Sequence, residues 1–177
     1  MPTTLKSQAD GRGEEVAALL TAARAVLENR AFTDAATAIL AAFKAILGAD
    51  AGFVAVSSPG GKGIEVACLD PGGLGLSSAV GLPVPLRRLC ARASKLGRVV
   101  IARNLAKGAQ QAPAGDDHAA LVSALVAPVV IAGNVAGLVG LINKPGGFSA
   151  ADSKLAEVFA EMAAVAMLNS RTVNGLE

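Results

Sequence analysis

The fold is decided by the 25-residue stretch at positions 119–143, which reads AALVSALVAPVVIAGNVAGLVGLIN and contains no charged residue. Pro128 and the pair Gly133-Asn134 divide this stretch, so it is not one continuous hydrophobic segment. Both halves are rich in Val, Leu and Ile, and Gly-Asn between two such runs favours the positive φ angles of a tight hairpin turn. The sequence therefore predicts two antiparallel strands, at residues 121–131 and 135–142.

A helix is predicted directly after this hairpin. Ser149 is suited to cap its first turn, and Asp152 stands at the capping-box position of that turn. Phe148, just before the cap, is expected to pack in the core. Apolar side chains then recur at three- and four-residue steps, which predicts an apolar stripe along the helix. The stripe consists of Leu155, Val158, Phe159, Met162, Val165 and Ala166.

Two helices and a further pair of strands are predicted in the first part of the chain. A first helix is expected to begin near Glu14, where an apolar period starts. Thr33 is suited to cap a second helix, which Gly48 would end. Residues 52–57 read as a strand, and the alternation in residues 64–68 is typical of a half-buried second strand.

The middle of the chain is predicted to contain long loops. Residues 70–83 are rich in Gly, Ser and Pro. A short helix is expected to start at Pro85, which suits a first helical turn, and to stop at Gly97. A strand at residues 98–103 and a polar loop at residues 104–117 would follow.

These elements predict an α+β fold. One antiparallel sheet would carry the N- and C-terminal helices on one face and the loop and helix of the middle segment over the other. At 177 residues the chain fits a single domain. We expect that domain to span residues 14–171, with a flexible tail at residues 1–13 and a tail or the start of a linker at residues 172–177.

Composition argues against several classes of function. The formal net charge of +2, from 16 basic and 14 acidic residues, gives no field strong enough to recruit nucleic acid or an anionic membrane. Two cysteines and one histidine are too few for a zinc site, so no metal site is predicted. The turn inside the uncharged stretch argues against a membrane span, and the N terminus does not read as an export signal. The sequence predicts a cytoplasmic protein.

The order of residues from Ser123 to Asp152 resembles the last two strands and closing helix of GAF domains, which are small-molecule sensor modules of signalling proteins. The shared features are Pro-Val-Val-Ile, then Gly-Asn-Val, then Leu-Ile-Asn-Lys, and then Gly-Gly-Phe-Ser before the helix. Residues 33–52 are similar to the first helix and strand of that family, and residues 86–105 to its middle helix and following strand. The resemblance covers residues 14–171.

This resemblance implies a ligand site between one face of the sheet and the layer formed by residues 70–117. Loops supported by a rigid sheet are where binding groups usually sit. Neither the ligand nor a cofactor is identified by the sequence. The candidate pocket residues are Cys68, Arg88, Cys90, Arg103, Asn104, His118 and Ser123.

A second pattern resembles a motif of the cyclic-nucleotide-binding branch of the family. It consists of Asn143, Lys144, Phe148 and Asp152, with Ser153 where that branch has glutamate. The resemblance implies a structural clasp in which the lysine pairs with an acidic residue. A strand end followed by a packed phenylalanine and a helix cap explains the same residues without any ligand.

Two alternative activities are implied by single residues. Cys90 lies where free methionine sulfoxide reductases of the family carry a cysteine, but the partner thiol that this chemistry needs is absent, and Cys90 falls on the apolar face of its helix. His118 lies in the region where haem-binding GAF domains place an iron ligand, with Asp117 beside it. Both remain alternatives to simple ligand binding.

The terminal helices imply assembly. Val16, Leu19, Ala23 and Val26 form a narrow seam on the first helix, and the last helix carries the apolar stripe described above. We expect a small-molecule sensor that forms a homodimer through these helices, acts on an output domain or kinase, and performs no catalysis itself. A scaffold that dimerises without a ligand is the alternative from another class.

Overall fold

The computed structural model describes residues 3–29, 31–58, 60, 62–105 and 121–174, with side chains described between residues 11 and 172 of those ranges. The helices found there are α1 (Thr3–Glu28), α2 (Phe32–Leu47), α3 (Val84–Leu96) and α4 (Ala150–Asn174). The strands are β1 (Ala51–Ser57), β2 (Ile64–Asp70), β3 (Val100–Ala102), β4 (Ala124–Ile131) and β5 (Asn134–Ile142).

All five strands form one antiparallel sheet in the order β2-β1-β5-β4-β3. The predicted α+β class and the central sheet are confirmed. Strands β4 and β5 are the hairpin predicted from the uncharged stretch, and they lie in the middle of the sheet beside β1. A long apolar hairpin suits this position because both of its faces are covered.

The sheet separates two hydrophobic cores. Alternation along β1 sends Val54 into a core with α1, α2 and α4, whereas Phe53 and Ala55 enter a core with α3 and the segment before it. In the helix-side core the rings of Phe43 and Phe159 stack with centroids 4.6 Å apart. The predicted placement of terminal helices on one face and the middle segment on the other is therefore what the structure has.

The hairpin turn is displaced by one residue from the predicted Gly133-Asn134. Ile131 pairs with Asn134, so the two turn residues are Ala132 and Gly133, with φ angles of 50° and 79°. Two positive φ angles are the geometry that matches the twist of adjacent strands. Asn134 belongs to β5, and its side-chain amide donates to the carbonyl of Ala132 at 3.3 Å.

Pro128 lies inside β4 without breaking it. Pairing of β4 with β5 runs to Ile131, but pairing with β3 stops at Val126. Among the described residues, Pro128 therefore has a neighbouring strand on one side only. A proline is tolerated at such an edge because the missing N–H does not interrupt a ladder on that side.

Helix boundaries differ from the prediction in three places. Helix α1 begins at Thr3, so the predicted tail is helical from that residue, and α4 continues to Asn174. Helix α2 begins at Phe32 behind Ala31, and Thr33 does not cap it; the Thr33 carbonyl instead accepts from the Thr37 hydroxyl at 2.8 Å. Capping residues are also compatible with the first turn of a helix, and propensity alone does not decide between these positions.

The C-terminal ends of α2 and α3 follow the prediction, whereas the lengths of β2 and β3 differ from it. Gly48 and Gly97 end α2 and α3 with φ angles of 64° and 61°, as glycines at this position commonly do. Strand β2 continues to Asp70, and β3 is only three residues long. Among the described strands, the short β3 leaves the second half of β4 without a neighbour on that edge.

Candidate functional site

The predicted clasp between Lys144 and Asp152 is present. The Lys144 Nζ donates to both carboxylate oxygens of Asp152 at 2.8 Å. The Ser149 N–H donates to Asp152 Oδ2 at 2.7 Å, and the Asp152 N–H donates to Ser149 Oγ at 3.3 Å, which is the predicted capping box. The clasp fixes the start of α4 against the end of β5.

The charge state of Asp152 follows from these contacts. Burial of this carboxylate would by itself raise the pKa, because water is excluded from the charged form. Hydrogen bonds from Lys144 and Ser149, together with the lysine charge, outweigh burial and lower the pKa of Asp152 below its ordinary value. Asp152 is therefore a structural anion, and its oxygens are occupied by the protein itself.

Ser123 is also held by the strand ends. Its N–H donates to Asn143 Oδ1 at 3.2 Å, and its carbonyl accepts from the Asn143 N–H at 2.8 Å. Its Oγ accepts from the Lys144 N–H at 3.4 Å. The side chain is buried, so this candidate pocket residue joins β4 to the end of β5.

The two cysteines lie on opposite faces of the sheet. Cys68 packs against the helix-side core, with its Sγ 3.4 Å from the Thr37 Oγ1 of α2. Cys90 is buried in the α3-side core, where burial raises the pKa of its thiol to about 12. The structure does not bring these two candidate residues together, and a buried thiol with a raised pKa is a poor nucleophile.

The remaining candidates are exposed or undescribed. Arg88 is exposed on α3, and Arg103 and Asn104 are exposed just beyond the end of β3. His118 lies outside the described residues. The described candidates therefore do not converge on one pocket.

The centre of the α3-side core is filled by side chains. Phe53, Leu86, Leu138 and Ile142 are all fully buried there. The predicted space between the sheet and the middle segment is accordingly closed at its centre. The open space lies to one side, next to the edge strand β2.

This space is a cleft of about 510 Å³ between β2, the segment at residues 78–82 and the first turn of α3. Arg87 lines it and forms no ion pair with another described residue. Glu65 borders the cleft through β2, but its side chain belongs to the other face of the sheet, because Glu65 pairs with Val56 of the helix-side core, whereas Ile64 and Val66 face α3. The hydroxyl-bearing residues Ser58 and Ser78 and the apolar residue Ile64 also line it. We call this space the β2 cleft.

The sequence pointed to Arg88 as a candidate pocket residue, whereas the neighbouring Arg87 lines the β2 cleft. Successive helical residues are about 100° apart, so Arg87 borders the apolar stripe that contains Cys90, whereas Arg88 lies on the opposite side of α3. The signal was therefore available in the helical period. The position of the cleft beside β2 could not be predicted from the sequence, because it depends on how residues 78–82 pack.

Comparison with known proteins identifies the family. A family model for the GAF domain matches residues 29–168, which is most of the chain. The chain therefore belongs to the GAF domain family, a family of sensor domains in signalling proteins. No curated protein matches the chain in sequence.

Several solved structures share this fold at low sequence identity. The GAF domain of a phosphoenolpyruvate-protein phosphotransferase from Coxiella burnetii has a TM-score of 0.69 and 12% identity, covering 92% of this chain and 97% of that one. The second GAF domain of DevS from Mycobacterium smegmatis has a TM-score of 0.62 and 19% identity, covering 80% and 96%. A free methionine-R-sulfoxide reductase from Neisseria meningitidis, in complex with its substrate, has a TM-score of 0.68 and 16% identity, covering 88% and 89%.

Two further observations concern membrane-spanning helices and metal-binding groups in the described ranges. None of their helices combines the length and the apolar character needed to cross a bilayer. Nor do these ranges gather three or more His, Cys, Asp or Glu side chains into a group that could hold a metal ion.

Proposed function

We propose that this GAF domain is a sensor that binds a small molecule in the β2 cleft. The supporting observation is that Arg87 lines a cleft of about 510 Å³ without an ion pair to another described residue. That volume lies within the range of known small-molecule sites. The cleft borders α3 and the loop before it, which are the elements a ligand would draw together.

The lining of the cleft favours a polar ligand with an anionic group. The Arg87 guanidinium is suited to bind a carboxylate or phosphate through paired N–H donors. Ser58 and Ser78 offer hydroxyls. Ile64 and Leu82 add an apolar surface for the rest of the molecule.

Native mass spectrometry and calorimetry test this proposal. We expect purified protein to retain a small-molecule mass, or a panel of amino acids, dicarboxylates and cyclic nucleotides to contain a compound that raises the melting temperature. Arg87→Ala should weaken binding of that compound by roughly tenfold or more, because a charged hydrogen bond is lost. Arg88→Ala is the matched control and should bind like the wild type.

Two outcomes would refute the proposal. One is a protein that retains no compound and does not respond to any member of the panel. The other is an equal loss of affinity in Arg87→Ala and Arg88→Ala, which would locate binding away from the β2 cleft. The sequence candidates Arg103 and Asn104 do not line the β2 cleft and, like His118, stay predictions of a separate site.

We further propose that the domain forms a homodimer through α1 and α4. Of the predicted seam on α1 only Val16 is exposed, because Leu19 and Val26 pack in the helix-side core. The exposed apolar residues of α1 are instead Val16, Leu20 and Leu27, which are spaced by four and seven residues, with Leu27 at 80%. Val158, Val165 and Leu168 are exposed on α4. Stripes of this spacing favour pairing of helices, and a second copy of the chain supplies a complementary stripe. This interface would serve equally in a scaffold that binds no ligand.

We infer that the domain acts by binding and not by catalysis. Burial of the Cys90 thiol and its raised pKa argue against the methionine sulfoxide reductase alternative, and the haem alternative depends on His118. Wild-type protein should therefore reduce free methionine sulfoxide no faster than Cys90→Ser. A Soret absorbance after expression with haem precursor would instead support the haem alternative.

A cytoplasmic location and an attached or associated kinase or other output domain belong to the same proposal.

A further inference from the structure

A second groove lies on the opposite edge of the sheet from the β2 cleft. Strand β3 pairs with residues 124–126 of β4 only, whereas β4 continues to Ile131. In the part of the chain that the structure describes, no strand lies beside residues 127–131 on this edge. Unpaired main-chain groups of such an edge are able to bind another strand.

The groove has a volume of about 300 Å³ and is bounded by three elements. Pro128 and Val130 of β4 line it together with Val99, which precedes β3. Glu157 and Glu161 of α4 line it as well, and so does Arg98. We call this space the β4 groove.

The charged side chains of the β4 groove form no ion pairs with other described residues. Glu157 and Glu161 are one helical turn apart and therefore share a face of α4. Neither carboxylate forms an ion pair with another described residue, and Arg98 forms none either. Two exposed carboxylates beside a partly apolar strand edge favour a ligand that is basic and has a backbone to pair.

We propose that the β4 groove binds an extended, basic segment of a partner polypeptide, which adds to the sheet beside residues 127–131. Main-chain hydrogen bonds to β4 would supply part of the affinity. Lysine or arginine side chains of the segment would contact Glu157 and Glu161, and an acidic or terminal carboxylate group would contact Arg98. This proposal does not depend on a ligand in the β2 cleft. It competes with the proposed α4 dimer contact, because Glu157 and Glu161 share the helical face of Val165 and Leu168.

Pro128 limits how the segment pairs. It has no N–H to donate, so strand addition relies on its carbonyl and on the neighbouring residues of β4. An edge interrupted in this way pairs weakly with an arbitrary strand. The carboxylates therefore select which segment binds and fix its register.

A peptide titration tests the role of charge. The probe is a decapeptide of alternating Val and Lys, and its affinity is measured by calorimetry. The double variant Glu157→Lys with Glu161→Lys should bind roughly tenfold more weakly or worse, because attraction becomes repulsion. The control is Glu14→Lys with Glu28→Lys, which makes the same change in net charge at two exposed residues of α1 and should bind like the wild type.

A modified peptide tests the role of the main chain. N-methylation of alternate residues blocks hydrogen bonding along one edge, and we expect it to abolish measurable binding to the wild type. In the unmodified protein, amide chemical shifts of Val99 and Val130 should respond to the decapeptide. This measurement does not depend on whether a variant folds.

The proposal is overturned by any of three results. The first is no binding of the decapeptide at millimolar concentration. The second is equal affinity for the two double variants, which would show that only net charge matters. The third is unchanged binding of the N-methylated peptide, which would remove strand addition from the interaction.

Discussion

Ala132 has a backbone conformation that is unfavourable for a residue with a side chain. It adopts φ of 50° in the β4-β5 turn, a region that disfavours a side chain with a Cβ atom. Ala132→Gly should therefore raise the free energy of unfolding by about 1 kcal/mol, measured by chemical denaturation. Ala41→Gly is the control, because this exposed residue of α2 is helical and the same change there should lower stability by about 1 kcal/mol. A loss of stability in both variants would contradict the turn geometry.

At Gly140 the sheet leaves no room for a side chain. It lies opposite Phe53, and a Cβ atom there would come within 2.3 Å of the phenylalanine ring. Gly140→Ala should lower the free energy of unfolding by about 1 to 3 kcal/mol, because Phe53 is fully buried and must shift. In the control, Gly63→Ala, the added Cβ has only Ser58 Oγ within contact distance, at 3.9 Å. Equal stability of the two variants would show that Phe53 moves at no cost.

The alkylation rate of Cys90 measures how firmly α3 packs on the sheet. Its thiol has a pKa raised to about 12 by burial, and the thiolate is the reactive form. In the folded protein at mildly alkaline pH, iodoacetamide should alkylate Cys90 much more slowly than the half-buried Cys68, as followed by mass spectrometry of peptides. Denaturant should remove the difference. Equal rates in the folded protein would mean that α3 opens readily from the sheet.

At the scale of elements, the clasp between β5 and α4 makes stability depend on acidity. Because the pKa of Asp152 is lowered in the folded state, the contribution of this carboxylate is present above its unfolded pKa of about 3.9 and is lost as pH falls through the lower folded value. Asp152→Ala should lower the free energy of unfolding at neutral pH by about 1 to 3 kcal/mol. Its stability should also fall less steeply than that of the wild type below pH 4.

The pair between Lys44 and Asp70 is the matched control for this prediction. Its Nζ–Oδ2 distance is 2.6 Å, but the Asp70 side chain is 39% exposed. Exposed ion pairs contribute little, so Asp70→Ala should cost about 0 to 1 kcal/mol in denaturation experiments. A larger effect at Asp70 than at Asp152 would contradict the assignment of the clasp as the stronger contact.

Local signals in the sequence predicted some elements well and others poorly. The capping box at Ser149 and the glycine ends of α2 and α3 were predictable because each depends on a few adjacent residues. The start of α1 and the length of β3 could not be predicted in this way. Whether a polar segment such as residues 3–13 continues a helix, and how far a strand pairs, depends on contacts with distant parts of the chain.

At the scale of the whole molecule, the dimer proposal has a direct test by analytical ultracentrifugation. Wild-type protein should sediment as a dimer at micromolar concentration. Leu20→Glu combined with Leu27→Glu should sediment as a monomer, because two charges would be buried in the interface. Val84→Glu changes an exposed valine on α3 and should remain dimeric. A monomeric wild type would remove the assembly role.

The candidate site shows where sequence reasoning stops. The family and the two-layered arrangement followed from the hairpin, the clasp motif and the order of elements. The position of the β2 cleft did not follow from the sequence. A ligand was expected at the centre of the layer under α3, but Phe53 and Leu86 fill that centre. Which of two neighbouring arginines faces a cleft depends on where α3 begins and on the path of the loop before it.

The separation of two cores by one sheet has a mechanical consequence. Consecutive side chains of β1, such as Phe53 and Val54, press in opposite directions on closely packed atoms. A force that widens the layer under α3 would therefore act through β1 on α2, which packs against the other face of this strand. We therefore expect a change of thickness in the α3-side layer to alter the distance between β1 and α2 on the other face of the sheet.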